Sequence, residues 1–594
     1  MALVFFTRLL VVATTASAWL PRHVFDEANS FPGSEDPKTI EGIQEHSSNE
    51  WCRLDLIVDA VLDNYGEVVA REIDTSPCAG VSLEAVVAVI EFHGTINAGV
   101  QYDRFGALFI DDYEVMRVTT PEPNGERDIA WDATQDVTDY AKVLFTGGPR
   151  TARLAIPNVV NPTYTGVIRA NVSVALYAAA AETTPAADGM VAVAPPPFEK
   201  GGNPFDHVGI SSVTNSTSAA NRSGSASFDF FVDRLFVDVQ VSAHSNEEFW
   251  YTNLPGAQGG AYRTLVVYVD DVLAGAAPAF PFIYSGGINP LLWRPIGGIA
   301  SFALPANRFD LTPFAARVSD GKKARVTLAV VSEDDPDSVW YVDATVVAWK
   351  RDTALREMSL VSSTTFPPTV KVTTSNSSRR EDVYDTVGAL SYYLRGVLTD
   401  DLTGEELMVE IDASSTNSLH NVLTDRGQST LATMTNVIRT TVERTTTLPP
   451  VLSSFRGGGG GLSRLVASVR STSVEDVYPL YVDLVLRGEQ EMTNVTLARR
   501  RALVLDDRDR VNWTSALSGL ATFDLVGTDY GTGATNASFD VTVAGETCYD
   551  HRASANDGAV TDEDGKDTYA CILPAGLRSC GIDLCGVAAL PHRR

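Results

Sequence analysis

Histidine and cysteine are scarce, eight and six in a chain of 594 residues. Nothing spells the His-Glu-x-x-His of a zinc hydrolase, the Gly-x-Ser-x-Gly of a serine hydrolase, or a glycine loop closed by Lys-Ser/Thr for phosphate. Metal-assisted, serine-nucleophile and nucleotide-driven reactions thus lack their usual residues, and no metal or other cofactor is expected. Basic residues are also few, 46 Lys and Arg against 75 Asp and Glu, for a net charge of −29. A nucleic-acid backbone would be repelled by this balance, so nucleic acid is not an expected partner. Such a charge suits an acidic compartment, where many of the carboxylates become neutral. Past the first residues no apolar run approaches the ~18 needed to span a bilayer, and no integral membrane segment is expected.

What is present points to the secretory pathway. Met1 to Ala18 is apolar around Arg8 and ends in Ala16-Ser17-Ala18, the pattern of a cleaved signal peptide. The expected address is extracellular or vacuolar/lysosomal. Seven Asn-x-Ser/Thr sequons occur, at Asn171, Asn215, Asn221, Asn376, Asn494, Asn512 and Asn536, each a candidate glycan acceptor. The cysteines cluster at the two ends, Cys52 and Cys78 near the start and Cys548, Cys571, Cys580 and Cys585 near the finish. Disulfides are the expected use, with the pairing left open by the spacing.

Period-two alternation dominates the remaining pattern. Phe236, Asp238, Gln240, Ser242 and His244 alternate with Val237, Val239, Val241 and Ala243, as on a half-buried strand. Short strands separated by Gly, Pro, Asn and Asp clusters predict an all-β fold built from sandwiches. An internal repeat sharpens this reading. Ala107-Leu-Phe-Ile-Asp-Asp-Tyr-Glu-Val-Met116 echoes Val266-Val-Tyr-Val-Asp-Asp-Val-Leu-Ala-Gly275, and Gln135-Asp-Val-Thr-Asp-Tyr-Ala141 echoes Phe309-Asp-Leu-Thr-Pro-Phe-Ala315. Ala152-Arg153-Leu154 and the strand from Val172 to Tyr177 likewise echo Ala324-Arg325-Val326 and Ala344 to Trp349. Four pieces in one order predict two copies of a single module. The expected division is a signal peptide over 1–18, an N-terminal segment over 19–82, and a first jelly roll over 83–182. An Ala/Pro/Gly-rich linker over 183–207, a second jelly roll over 208–352 and a C-terminal β-rich domain over 353–594 complete it. Asp562-Glu-Asp-Gly-Lys-Asp567 lacks the remaining ligands of a calcium loop and reads as a solvated acidic turn.

Polar and aromatic residues concentrate after His244, in His244-Ser-Asn-Glu-Glu-Phe-Trp-Tyr251, Gly259-Gly-Ala-Tyr-Arg263 and Ser285-Gly-Gly-Ile-Asn-Pro-Leu-Leu-Trp-Arg294. Aromatic faces stack on sugar C–H surfaces, and Arg, Asn and His bond hydroxyls and an N-acetyl carbonyl. Any one segment alone would read as core aromatics beside a solvated turn; three in one module favour a sugar site.

Tyr102-Asp-Arg-Phe105, Glu248-Phe-Trp-Tyr251, Gly260-Ala-Tyr-Arg263 and Ser285-Gly-Gly-Ile-Asn-Pro290 followed by Trp293 resemble segments of the peptide N-glycosidase A family, the acid glycoamidases of plants and fungi. The resemblance runs from about Glu91 to Lys350. A fainter one reaches the bacterial peptide N-glycosidase F, with two adjacent jelly rolls and an active site at their junction. It implies hydrolysis of the amide bond between asparagine and the first N-acetylglucosamine of N-linked glycans, with N-glycosylated peptides or proteins as substrate. It places the catalytic aspartate on Asp103. The bacterial enzyme's second acid lies just before the segment that falls on Gly260-Ala-Tyr-Arg263, where this chain has none, and Glu248 or its neighbour Glu247 is the nearest carboxylate. The implied catalytic pair is Asp103 and Glu248. His244, Glu247, Trp250, Tyr251, Tyr262, Arg263, Asn289, Trp293 and Glu122 are the expected substrate-binding residues, Glu122 sitting between prolines in Thr120-Pro-Glu-Pro123. The alternative function is a secreted, lectin-like carbohydrate binder that kept the sandwiches and lost catalysis.

Overall fold

The computed structural model describes residues 36, 38, 50–83, 86–123, 125–146, 148–178, 186–193, 207–212, 221–256, 259–334, 338–377, 381–447, 464–488, 490–506, 509–524, 531–543 and 545–567. The signal peptide, the five-glycine run at 457–461, and Cys571, Cys580 and Cys585 lie outside them, as do the side chains of Cys548, Asn215 and Asn376. The fold is all-β.

The first module contains β1 (Glu50–Leu62), β2 (Val68–Glu72), β3 (Val86–Ile96), β4 (Phe105–Ile110), β5 (Tyr113–Thr119), β6 (Ile129–Asp136), β7 (Thr151–Ala155) and β8 (Ile168–Ala178). They form two sheets, β1-β8-β3-β6 and β5-β4-β7-β2. Between them lies one apolar core that includes Phe92, Leu108, Met116, Trp131 and Leu154. The second module contains β9 (Gly189–Val193), β10 (His207–Ser212), β11 (Arg222–Ala226), β12 (Phe231–Ala243), β13 (Arg263–Val269), β14 (Val272–Pro278), β15 (Ala303–Leu304), β16 (Asn307–Asp310), β17 (Ala324–Ser332) and β18 (Val339–Arg351). Its pairings β18-β12-β16 and β14-β13-β17-β11 repeat those of the first module, β8-β3-β6 and β5-β4-β7-β2.

The repeat extends to single hydrogen bonds. In each hairpin the first turn Asp has positive φ, 52° at Asp111 and 47° at Asp270, a conformation Asp tolerates better than most residues. Its side chain then accepts the amide of the next module strand, Thr151 at 3.0 Å and Arg325 at 2.9 Å. After β6 and β16 the same Thr turn recurs. Thr138 Oγ1 accepts the Ala88 amide at 2.9 Å, and Thr312 Oγ1 accepts that of Leu235 at 3.1 Å.

Two expected boundaries differ from the strand pairing. Residues 19–82 are not wholly apart from the first sandwich, because β1 pairs with β8 and β2 with β7. The segment 183–207 is not all linker, since β9 pairs with β18 and its Met190 side chain is buried. Cys52 and Cys78 form a disulfide within this N-terminal part.

The C-terminal part is one antiparallel sheet of β19 (Leu355–Thr364), β20 (Thr369–Ser377), β21 (Glu381–Asp400), β22 (Glu406–Thr424), β23 (Gly427–Thr447), β24 (Arg464–Arg487), β25 (Gln490–Leu505), β26 (Asp509–Asp524), β27 (Thr532–Val543), β28 (Glu546–Asn556) and β29 (Ala559–Asp567). The acidic stretch 562–567 is thus strand, not turn, paired with β28. Leu390, Tyr392, Leu394, Val409, Ile411 and Ala413, spaced two apart, share a continuous core with Val266 and Leu273 of the second sandwich. Alternation in the sequence therefore records a sheet with one face against the second module.

Candidate active site

β4 and β5 run as an antiparallel pair with Phe105 opposite Thr119. The residues just beyond that end are held side by side, because the Thr120 amide donates to the Arg104 carbonyl at 2.8 Å and the Arg104 amide to Thr120 Oγ1 at 2.9 Å. Asp103 and Glu122 therefore emerge together, although 19 positions separate them in the chain. The loop between β14 and β15 of the second module closes over them. The Gly286 amide donates to Asp103 Oδ2 at 2.7 Å, and Ser285 Oγ to the Thr120 carbonyl at 3.0 Å.

A side chain at Gly286 would crowd this contact. A Cβ there would lie 2.6 Å from Glu122 Oε1 and 3.1 Å from Asp103 Oδ1. At the next residue a Cβ on Gly287 would lie 3.4 Å from Glu248 Oε1. Three carboxylates thus surround two consecutive glycines at the junction of the modules. The loop is fixed from behind. Trp293 Nε1 donates to the Gly287 carbonyl at 2.7 Å, Asn289 accepts the Leu291 amide at 3.1 Å, and Asn289 Nδ2 donates to Thr493 Oγ1 of β25 at 3.2 Å. Thr535 of β27 donates to the Leu292 carbonyl.

Loss of hydration raises the Asp103 carboxyl above its ordinary value, against the Gly286 amide and Arg104, which lower it. Burial pushes Glu122 up to about 8, with Asp103 adding to the rise and Arg294 opposing it. Arg294 donates to Glu122 Oε2 at 3.0 Å and to the Pro123 carbonyl at 3.3 Å. The two neighbouring carboxyls therefore differ in environment, one partly exposed beside a backbone donor and one buried against a guanidinium. Such a pair can divide base and acid roles at one pH.

The other sequence-derived residues fall into two groups. Glu248 reaches the glycine pair, near Tyr251 and Tyr284, whose hydroxyls it helps keep protonated after burial. Glu247 instead points inward and is bonded on both oxygens. Arg263 Nε and Nη2 donate to it at 2.6 and 2.9 Å, Trp340 Nε1 at 3.1 Å and Asn253 Nδ2 at 3.2 Å. Arg263 spends its remaining nitrogen on the Gly259, Gly260 and Tyr262 carbonyls and has no exposed surface. Trp250 and Tyr251 belong to the core of the second module. Tyr262 lies over Gly388 of β21, facing the C-terminal sheet. His244 is packed between Phe105 and Tyr341, at ring separations of 4.5 and 4.2 Å, and bonds Ser242 at 2.8 Å. Burial, with Arg117 nearby, holds its pKa well below the usual imidazole range. Of the expected residues, Asp103, Glu122 and Glu248 come together at the glycines, Asn289 and Trp293 position that loop, and Glu247, Arg263, Trp250, Tyr251 and Tyr262 build the walls behind. At Gly260, in the segment that has no acid of its own, the Glu333 carboxyl packs, raised by burial to about 7 and touching Thr386 of β21.

Gly286 and Arg294 lay in a segment singled out by sequence but were given no role there, and the aromatic surface beside Arg104 was missed. Tyr102 and Tyr164 meet at 5.2 Å, Arg104 lies 5.8 Å over Tyr102, and Tyr65 is exposed nearby and adds to the potential at Arg104. The Pro-Glu-Pro sequence carried a signal for Glu122, because two fixed φ angles hold a side chain still. Among the described residues no group of three His, Cys, Asp or Glu is placed to hold a metal.

A family model described as peptide N-acetyl-beta-D-glucosaminyl asparaginase amidase A matches residues 64–366, which span Asp103, Glu122, Glu248 and the glycine loop. The chain belongs to this family. Peptide-N4-(N-acetyl-beta-glucosaminyl)asparagine amidase A of Prunus dulcis is 32% identical over 308 residues, covering 48% of this chain and 52% of that protein. The match thus spans about half the length of that relative. Among solved structures, recombinant peptide: N-glycanase F aligns with a TM-score of 0.34 at 11% identity, covering 50% of this chain and 96% of its own. PNGF-II aligns with a TM-score of 0.35 at 11% identity, over 50% and 66%. As a member of the amidase A family, the chain carries its match on both sandwiches and ends it just inside the C-terminal sheet.

Proposed function

We propose that this chain hydrolyses the amide bond between asparagine and the first N-acetylglucosamine of N-linked glycans, leaving aspartate in the peptide. The carrying observation is the convergence of Asp103 and Glu122 on Gly286, with Glu248 at Gly287. Water must add to the side-chain carbonyl carbon, the C–N bond must break, and the departing sugar-bearing nitrogen must gain a proton. In this reading Asp103 contacts the linkage, and Glu248 orients the attacking water and takes up the proton it loses as it adds to the carbonyl carbon. Glu122, protonated below about pH 8, supplies the proton to the nitrogen. Arg294 limits how far that proton's affinity rises and fixes the carboxyl plane. Tyr102, Tyr164 and Tyr65 offer ring faces for the sugar.

The substrates are N-glycosylated peptides and proteins, by analogy with the name of the Prunus dulcis relative. We also place the protein in the secretory pathway, extracellular or vacuolar/lysosomal. The Cys52–Cys78 disulfide and the exposed sequons at Asn171, Asn494 and Asn536 support an oxidising lumen. Purified protein incubated with a denatured glycopeptide at acid pH, read by mass spectrometry, should show asparagine converted to aspartate. Glycan binding with no conversion would establish the lectin reading instead, and release leaving one N-acetylglucosamine on the peptide would indicate a glycosidase.

A further inference from the structure

Glu248 faces two ways. Besides the glycine loop it lines a cleft between the second sandwich and the C-terminal sheet, walled by Phe280, Phe282, Tyr478 and Arg499. Asn307 and Tyr478 also line a second cleft, which runs along β23, β24 and β25 past Asn436, Thr440 and Thr472. The two clefts adjoin at these two residues, and the passage they outline has Glu248 in the wall of its first part.

The passage has the lining of a sugar site. Phe280 meets Phe282 at 4.8 Å and Tyr478 at 5.0 Å, and the Arg499 guanidinium lies 5.6 Å over Phe280 and 5.4 Å over Trp513. Its formal charges are largely matched internally, since Asp476 takes Arg501, and Asp238 with Asp139 takes Arg308. What stays open is a donor and an acceptor. Arg499 Nε is buried without a hydrogen-bond partner, and so is Oδ1 of Asn436, whose side chain is 5% exposed. Buried polar atoms left unpaired are costly and rare, and a water or a ligand atom can complete their bonding. Aromatic faces, neutral hydroxyl and amide groups and matched charges fit an uncharged, hydroxyl-rich ligand better than an acidic or basic peptide.

Resting on the amidase reading above, we propose that this passage binds the outer sugars of the same N-glycan whose reducing end lies at Gly286. The C-terminal sheet is then part of the substrate-binding surface. It reads the glycan several residues from the bond that is cut.

The test uses one peptide carrying either an oligomannose glycan or only its two N-acetylglucosamines, cleaved by the full chain and by Asn436→Leu and Arg499→Met. The ratio of kcat/KM for the long over the short glycan should fall about 10-fold in each variant, through KM of the long substrate. An unaltered ratio would overturn the proposal. Matching melting temperatures check folding, and Asn436→Asp serves if the leucine variant does not fold. Binding of free oligomannose lacking the chitobiose, followed by calorimetry, keeps the two readings separate. If the wild type cleaves neither substrate yet binds this oligosaccharide and Asn436→Leu does not, the amidase reading fails and the sugar site stands. Absence of binding by the wild type overturns the sugar site alone.

Discussion

Asp103 and Gly286, 183 residues apart in the chain, are joined by a 2.7 Å hydrogen bond across the junction of two like-folded modules. Neither module alone makes this contact. It sets the carboxylate of one sandwich against the loop of the other, and the consequences can be measured.

Asp103→Asn keeps the side-chain shape and an oxygen for the Gly286 amide but removes the charge. Turnover should fall by about 10³-fold or more, while the melting temperature stays level or rises, because a carboxyl raised by lost hydration is replaced by a neutral group. Wild-type turnover in this variant would move the chemistry elsewhere.

Glu122 should couple stability to pH. Its folded value of about 8 lies above the ordinary 4.5, so its contribution is complete at low pH. As pH rises from about 4.5 the unfolded chain ionises first, and stability is lost until the folded group also ionises near 8. Melting temperatures taken across that window should fall for the wild type, and the fall should shrink by about 5 °C in Glu122→Gln. A second effect follows from the proton-donor role: wild-type kcat should decline above about pH 8, and Glu122→Gln should be slow at every pH.

Gly286→Ala tests the fit of the loop. The added methyl would press on Glu122 and Asp103 at 2.6 and 3.1 Å. Activity should drop about 100-fold with secondary structure retained, since small misplacement of reacting groups is expensive. Full activity would show that the loop retreats without affecting the site.

Glu247 and Arg263 should behave as a structural pair. Arg263→Met leaves the Glu247 carboxylate buried with a charge unmatched, at a cost of about 3–5 kcal/mol read by denaturant titration. Glu248→Gln, by contrast, should lower kcat strongly and leave that titration unchanged. A rise in KM without loss of stability in Arg263→Met would return this residue to the substrate.

The tandem modules were legible because each repeated piece has the same local role in both copies. Asp111 and Asp270 turn a hairpin, and Thr138 and Thr312 close a turn onto a neighbouring strand. Asp103 was legible through its motif. Glu247 and Glu248 could not be told apart by position, because a short helical turn after His244 sends one side chain into the core and leaves the next at the loop. Arg263 and Tyr262 resembled sugar ligands by residue type, yet a sheet more than 100 residues later covers them, as Asn417 on the Arg263 carbonyl and Gly388 under Tyr262 demonstrate. Glu122 stood out only by its flanking prolines, and the pairing of β4 with β5 is what brings it beside Asp103.

The clamp on the glycine loop has a bearing on the order in which the site is made. Asn289 waits for Thr493, 204 positions later, and Leu292 for Thr535, 243 positions later. A nascent chain emerging from the ribosome has all three carboxylates long before it has the strands that hold the loop against them. The final contour of the candidate cleft thus waits on strands that translation delivers more than 200 positions after the loop itself.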